Sequence, residues 1–559
     1  MNRVFASNVA LAILILATSA KPGVAQDEYK KPLPRLDLKT GDSVVFLGDS
    51  ITHQCLYTQY VEDYFYTRFP KMRLKFHNAG VGGAKAWDAL QRFDRDVAAY
   101  KPKYVTVLLG MNDGQYRPFD KPIFETYQKD MTELIARIKQ AGATPVLMTP
   151  TMYDSRAARL RKRRRKTPDA TLDQYNAVLA YYGTWLREKA VNEGYGFVDM
   201  YSRLNALTLR ERKKDAGFTL IKDAIHPDPP GQVVMAFSIL GDLVPQSFVS
   251  SILLVNGPKG TAAIIRGGKV SGIKRTADSL EFTFEARKLP WVVPPEAEPG
   301  QKLLGPSLAL INRDVLRILN MPAGLYTLTI DGEEIGRFKS NALFAGLQLH
   351  NSRKTPQYKQ ALAVAMLNKK RNDGPVKSLR NEWRAFQQHA RLKRQLAASP
   401  DNDELIKQVA ALEEKLNGLD ERIKKHKADA KKLEDEIFKI NQPKPRKYVL
   451  TKAKQVVSTG TVTLDGKPLE GATVSFVQGK TVVAVGKTDA NGSFQLATDG
   501  IPGVPPGEYR VVISKTAGAG RDKAGELLPA RYSSPRSGAV KFTVPRDGVV
   551  HADFNLSTR

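Results

Sequence analysis

A chain of 559 residues with 42% hydrophobic and 26% charged residues is globular in composition and too long for one core, which excludes wholesale disorder and predicts about two to four domains. Its formal net charge of +29 would suit a nucleic-acid binder, because Lys and Arg release phosphate counterions. The single cysteine, Cys55, excludes an intramolecular disulfide and a Cys-based zinc site.

The N-terminus turns the charge argument elsewhere. Arg3 precedes the apolar run 9–17, and Gly23-Val24-Ala25 forms a small-residue cleavage pattern before Gln26. Residues 1–25 therefore read as a secretory signal, its apolar run shorter than the ~20 residues of a spanning helix; an uncleaved anchor is the alternative. Export to the periplasm, cell envelope or medium argues against nucleic acid and toward acidic glycans or anionic envelope surfaces. Residues 26–39 are polar and Pro-bearing, and read as a linker.

Over 40–250, short apolar runs at 43–47, 74–77, 104–109, 144–148 and 196–198 alternate with amphipathic stretches at 57–68, 122–139 and 172–192. The alternation predicts an α/β fold with a parallel sheet covered on both faces. Its ligand site belongs at the carboxyl ends of the strands. Residues 251–350 switch to a β pattern, with a hairpin signature around Asp331-Gly332. Residues 351–441 are helical. There Leu405, Val409, Leu412, Leu416, Leu419, Ile423, His426, Ala430, Leu433, Ile437 and Ile440 alternate spacings of four and three, a seam of the coiled-coil period. Its partner is either the preceding segment with Trp383, Phe386, Leu392 and Leu396, or a second copy of the chain in a dimerising coil. Residues 442–451, opening Gln442-Pro443-Lys444-Pro445, read as a linker, and short strands over 452–559 predict a β-sandwich.

Four blocks carry chemistry. Gly48-Asp49-Ser50-Ile51-Thr52 follows the first strand, Asn78-Ala79-Gly80-Val81-Gly82-Gly83 the second, and Gly110-Met111-Asn112-Asp113 the third. Asp223-Ala224-Ile225-His226-Pro227 closes the region. In this order they closely resemble the SGNH (GDSL-type) serine hydrolase superfamily, over roughly 200 residues after the signal. The resemblance implies a three-layer α/β/α, flavodoxin-like core. Ser50 is then the nucleophile, His226 the base that removes its proton, and Asp223 the acceptor of the other imidazole N–H. It also implies an oxyanion hole from the backbone N–H groups of Ser50 and Gly83 and the amide of Asn112.

Other polar residues in these blocks have plainer readings. Gly80 and Gly82 serve turns, and Asp49 and Asp113 hold loops. His53 and His77 lack an acidic partner at the spacing Asp223 gives His226. Cys55 reads as a small core residue. No cluster has metal-ligand spacing, and no cofactor is implied. The run Arg159 to Lys166, with Arg161, Arg163, Arg164 and Arg165, is either a solvated loop or an anion-attracting arm beside the cleft. Gln54, Lys85, Gln115 and Arg117 add polar character there, and Trp87, Tyr116 and Met152 are candidates to stack on a sugar ring.

The last region contains Thr488-Asp489-Ala490-Asn491-Gly492-Ser493-Phe494 and Pro506-Gly507-Glu508-Tyr509. It looks like the transthyretin-like or carboxypeptidase-regulatory-like sandwiches, which implies a spacer or adhesion module. The sequence thus predicts an exported esterase acting through an acyl-Ser50 intermediate, with a carbohydrate O-acetyl ester as favoured substrate. A lysophospholipase or thioesterase is the enzymatic alternative, and a non-catalytic envelope scaffold the other.

Overall fold

The computed structural model describes residues 30–161, 167–245, 248–479, 481–516, 526–534 and 540–558. The signal segment 1–25 and Arg163, Arg164 and Arg165 lie outside the described residues.

Strands β1 (Ser43–Gly48), β2 (Lys75–Gly80), β3 (Tyr104–Leu108), β4 (Thr144–Met148) and β5 (Gly196–Val198) form one parallel sheet in the order β2-β1-β3-β4-β5. Nearly every residue of β1, β3 and β4 is buried, as a sheet covered on both faces requires. The helices are α1 (Ser50–His53), α2 (Leu56–Arg68), α3 (Ala86–Asp96), α4 (Lys121–Gln140), α5 (Ser155–Leu160), α6 (Asp169–Glu193), α7 (Met200–Arg212) and α8 (Pro229–Leu243). Asp49, Asp120, Asp154, Asp199 and Asp228 each accept a backbone N–H in the first turn of the helix they precede, so the sequence writes its own helix starts. The stretch expected as a linker before β1 is not free. Leu36 is buried, and its N–H donates to the Leu243 carbonyl at 2.7 Å.

Helix α2 is buried on every side despite carrying Glu62, Asp63 and Arg68, because the later regions pack over it. Glu62 pairs with Arg371 at 3.0 Å, Asp63 accepts from Asn368 at 2.8 Å, and Arg68 donates to the Leu289 and Ile311 carbonyls. Buried charges tolerate this only when paired.

Two departures from expectation concern the helical segment. The 405–440 seam is not one helix: Asp403–Leu416 and Leu419–Ile440 are separated at Asn417 and Gly418, the latter at φ +70°. Both pieces pack within the chain, where Glu413 meets His389 at 3.2 Å and Arg422 meets Glu382 at 3.0 Å. Leu405, Leu412 and Leu416 are only half-buried there. The second departure is the expected linker 442–451. Arg446–Lys452 is a strand inside the β appendage, between Leu325–Ile330 and Ser279–Ala286. Tyr448 and Leu450 point into that core; the alternation is short and stands beside a Pro-rich run that masks it. The helical segment is therefore an excursion from the β appendage, and the chain returns to complete the sheet. Beyond it, strands over 457–556 form two sheets around one apolar cluster containing Val462, Phe476, Leu496 and Phe554.

Candidate active site

The site forms where β1, β2 and β3 end. A Cβ on Gly48 would fall 2.1 Å from Thr52 Oγ1 and 3.0 Å from the Leu108 carbonyl, so only glycine lets the chain turn there. Asp49 then caps α1 by accepting the Ile51 N–H at 2.9 Å, which leaves Ser50 at the edge of the sheet. Ser50 Oγ lies 2.8 Å from His226 Nε2, and His226 Nδ1 lies 2.6 Å from Asp223 Oδ2. An ionised carboxylate only accepts, so Nδ1 carries the proton and Nε2 offers its lone pair to the serine hydroxyl. Asp223 Oδ1 also accepts the backbone N–H groups of Ile225 and His226 at 2.9 and 2.7 Å. The intervening Ala224 sits at φ +72°, a left-handed conformation that costs a non-glycine residue energy and that the closed turn enforces.

Electrostatics fit this arrangement. Burial pushes the Asp223 carboxyl up, but the imidazole and the two backbone N–H groups outweigh it and hold the acid well below its usual range. The Asp223 hydrogen bond raises His226 against burial and the nearby Arg161 charge. The base works only when neutral, so kcat/KM should fall as pH drops through a value above the ordinary 6.5. Asp223→Asn removes the raising partner, and the acid limb should move to lower pH while the rate falls. A pH–rate series on a small ester checks both; an acid limb unmoved in Asp223→Asn would contradict the pairing.

Around Ser50, the backbone N–H groups of Ser50 and Gly83 have no partner among the described residues. Gly83 is at φ +72°. The Asn112 amide donates to the Ala84 carbonyl at 3.1 Å and more loosely to Asp49 at 3.4 Å, while its oxygen accepts from the Tyr116 hydroxyl at 3.1 Å. Ser50, Gly83 and Asn112 line one cavity of about 700 Å³ together with His226. The structure thus brings all five expected residues to one place, an arrangement suited to nucleophilic attack on a carbonyl and to holding the resulting oxyanion.

The neighbouring residues divide. Asp113 accepts the Ala86 and Gly110 N–H groups and is pushed up to about 7 by burial. Asn78 binds the Thr52 carbonyl at 2.7 Å, and a Cβ on Gly80 would strike the His53 nitrogen at 2.4 Å; both fasten β2 to α1. Cys55 is buried, and burial pushes its thiol up to about 12, which removes it as a nucleophile. Arg161 donates to the Asp223 carbonyl at 2.7 Å. Lys85, Trp87 and Gln115 line a second cavity of about 700 Å³ that shares Gly83, Asn112 and Tyr116 with the first. Met152 is buried in the core and does not line either cavity, and Arg117 pairs with Asp120 outside the cleft lining.

One wall of the cleft was not foreseen. The helix Lys377–Ala398 supplies Arg384, Gln387, Gln388, Arg391 and Gln395, and Arg394 lies 4.6 Å over the Trp87 ring. These residues stand far from the four blocks in sequence. In the sequence, Trp383, Phe386, Leu392 and Leu396 marked this segment only as a candidate partner for the heptad seam.

A model of the GDSL-like Lipase/Acylhydrolase family matches residues 46–234. This region is a GDSL-type SGNH hydrolase domain. It hydrolyses esters. An acetylxylan esterase of Geobacillus stearothermophilus is 24% identical over 231 residues, spanning 37% of this chain and 96% of that protein. The solved structure of a gut microbial diltiazem-metabolizing enzyme is 26% identical with a TM-score of 0.62, covering 75% of this chain and 99% of its own. An uncharacterized lipoprotein of Bacillus subtilis, YqeF, is 35% identical over 74 residues, 13% of this chain and 30% of that protein. The likeness to the solved structure extends well beyond the SGNH domain. No helix among the described residues is long and apolar enough to cross a membrane.

Proposed function

We propose that the protein is an exported esterase that removes O-acetyl groups from carbohydrate through an acyl-Ser50 intermediate. The observation carrying this reading is the hydrogen-bonded series Ser50–His226–Asp223 beside two N–H groups that have no partner among the described residues. His226 Nε2 takes the Ser50 proton as Oγ attacks the ester carbonyl. Ser50 N–H and Gly83 N–H receive the oxyanion, and the Asn112 amide joins them by releasing its looser 3.4 Å contact with Asp49, each such donor typically contributing about 3 kcal/mol. Collapse expels the alcohol with the proton held on His226, and water then releases the acid by the same steps.

This substrate class is supported by the lining of the cleft. Gln54, Lys85, Gln115, Gln388, Arg391 and Gln395 line it, polar groups that suit hydroxyls, where a long acyl chain needs a broad apolar surface. Trp87 and Tyr116 also line the cleft, with Arg394 over one face of Trp87 and Tyr175 against Tyr116, so a sugar would stack on the face left open. The acetylxylan esterase relative points the same way. Arg161 and the rest of the basic loop, Arg163, Arg164 and Arg165, would draw anionic polymers toward the opening. Export rests on the leader-like residues 1–25 and on the lipoprotein name of one relative, and we read 452–559 as a spacer or adhesion module.

Acetyl esters should be hydrolysed faster than octanoyl or longer ones when kcat/KM is compared across acetylated oligosaccharides, phospholipids and acyl thioesters. A clear preference for long acyl chains would move the reading to a lipid acyl hydrolase.

A further inference from the structure

We propose that the helix Lys377–Ala398, outside the hydrolase domain, sets the oxyanion loop in its working orientation, with Gln387 and Arg391 as positioning residues. This rests on Gly83 N–H being an oxyanion donor. The Gly82 carbonyl and the Gly83 N–H belong to one peptide unit. In a trans peptide they point in opposite directions, so whatever fixes the carbonyl aims the N–H. Gln387 Nε2 donates to that carbonyl at 3.1 Å. The bond also polarises the peptide and makes its N–H a better donor.

The flanking peptides are held as well. Arg391 Nη2 donates to the Gly83 carbonyl at 2.6 Å, and the same guanidinium grips both oxygens of buried Asp88 at 2.7 and 2.6 Å. Asp88 in turn accepts the Lys85 N–H at 2.8 Å. On the other side, the Gly82 N–H donates to His53 Nδ1 at 3.2 Å, and His53 Nε2 donates to Asn381 Oδ1 at 3.1 Å. Burial lowers His53 to about 4, so it stays neutral and can accept. A paired glycine loop has wide conformational freedom of its own, and here three consecutive peptides are pinned by side chains from one helix or from a residue it holds.

The helix is a firm support. Arg380, Trp383, Gln387 and Arg391 recur at spacings of three and four, one helical face. Arg380 makes two 2.8 Å bonds to buried Asp96, and Trp383 is 1% exposed.

The test measures kcat and KM of the full chain on 4-nitrophenyl acetate, a small neutral ester. Arg391→Ala should lower kcat roughly 10- to 100-fold with KM little changed, the scale of a misplaced catalytic group. Gln387→Leu should lower kcat about 10-fold, and Arg391→Lys should recover only part, since an ammonium cannot reproduce the forked bond. Millimolar guanidinium should restore part of the Arg391→Ala rate. Lys393→Ala, an exposed position on this helix paired with Glu413, should keep the wild-type rate. Folded Arg391→Ala and Gln387→Leu proteins with wild-type kcat would overturn the proposal, as would a change confined to KM. So would failure of guanidinium rescue together with a lowered melting midpoint, which marks mere loss of structure. An inactive Ser50→Ala beside fully active Arg391→Ala defeats this inference alone, whereas an active Ser50→Ala defeats the reading beneath it.

Discussion

Ser50→Ala is expected to remove nearly all ester turnover, by roughly 10³- to 10⁶-fold in kcat, while leaving substrate binding and folding intact. The substitution deletes the hydroxyl that His226 Nε2 meets at 2.8 Å, and puts nothing in its place that can attack a carbonyl. His226→Ala should cost nearly as much, because nucleophile and base act as a unit. Asp223→Asn should leave more, since Ser50 and His226 remain and only the tautomer and the imidazolium's partner are lost. The neighbouring groups offer no substitute: Cys55 is held as a buried thiol, and His53 already bridges Gly82 and Asn381. Steady-state kinetics on 4-nitrophenyl acetate, beside a thermal melt of each variant, make the comparison.

The largest expected effect on stability lies at Asp96. Its two oxygens take His77 at 3.0 Å, Arg380 at 2.8 Å twice, and Arg92 at 2.5 Å, and every carboxylate and guanidinium involved is wholly buried. Burial opposes the charge, but the two arginines and His77 outweigh it and hold the carboxyl far below its usual range. His77 itself is lowered to about 4 by burial and stays neutral. Asp96→Asn keeps the shape and removes the negative charge that both buried cations, Arg92 and Arg380, contact. A loss of about 3–5 kcal/mol in urea unfolding is expected, the scale for breaking a buried pair; a loss below about 1 kcal/mol would contradict this account. A carboxyl depressed on folding contributes stability above its ordinary value of 3.8 that is lost as pH falls through the folded value. Wild type should therefore lose stability in strong acid, and Asp96→Asn should have less to lose.

The catalytic core was legible because its signals are local. Each site block follows a buried strand, and a parallel sheet brings strand ends together whatever their separation in sequence. Asp223 and His226 sit on one turn, so their spacing announced their contact. The bracing helix was not legible, because Gln387 and Arg391 meet Gly82 and Gly83 across some three hundred residues with no shared motif. Its heptad-like neighbours invited a coiled-coil reading, yet the period continues through Gly418, where the backbone turns left-handed and the helix stops. Arg446–Lys452 was hidden differently: only Tyr448 and Leu450 face the core, and two alternating residues after a Pro-rich run carry too little pattern to announce a strand that completes a distant sheet.

Covalent labelling of the full chain with a fluorophosphonate, mapped by mass spectrometry of its peptides, should mark one serine, Ser50, and should be lost in His226→Ala because the hydroxyl is no longer activated. A label on another residue, or none while the enzyme still turns over an ester, would contradict Ser50 as the nucleophile.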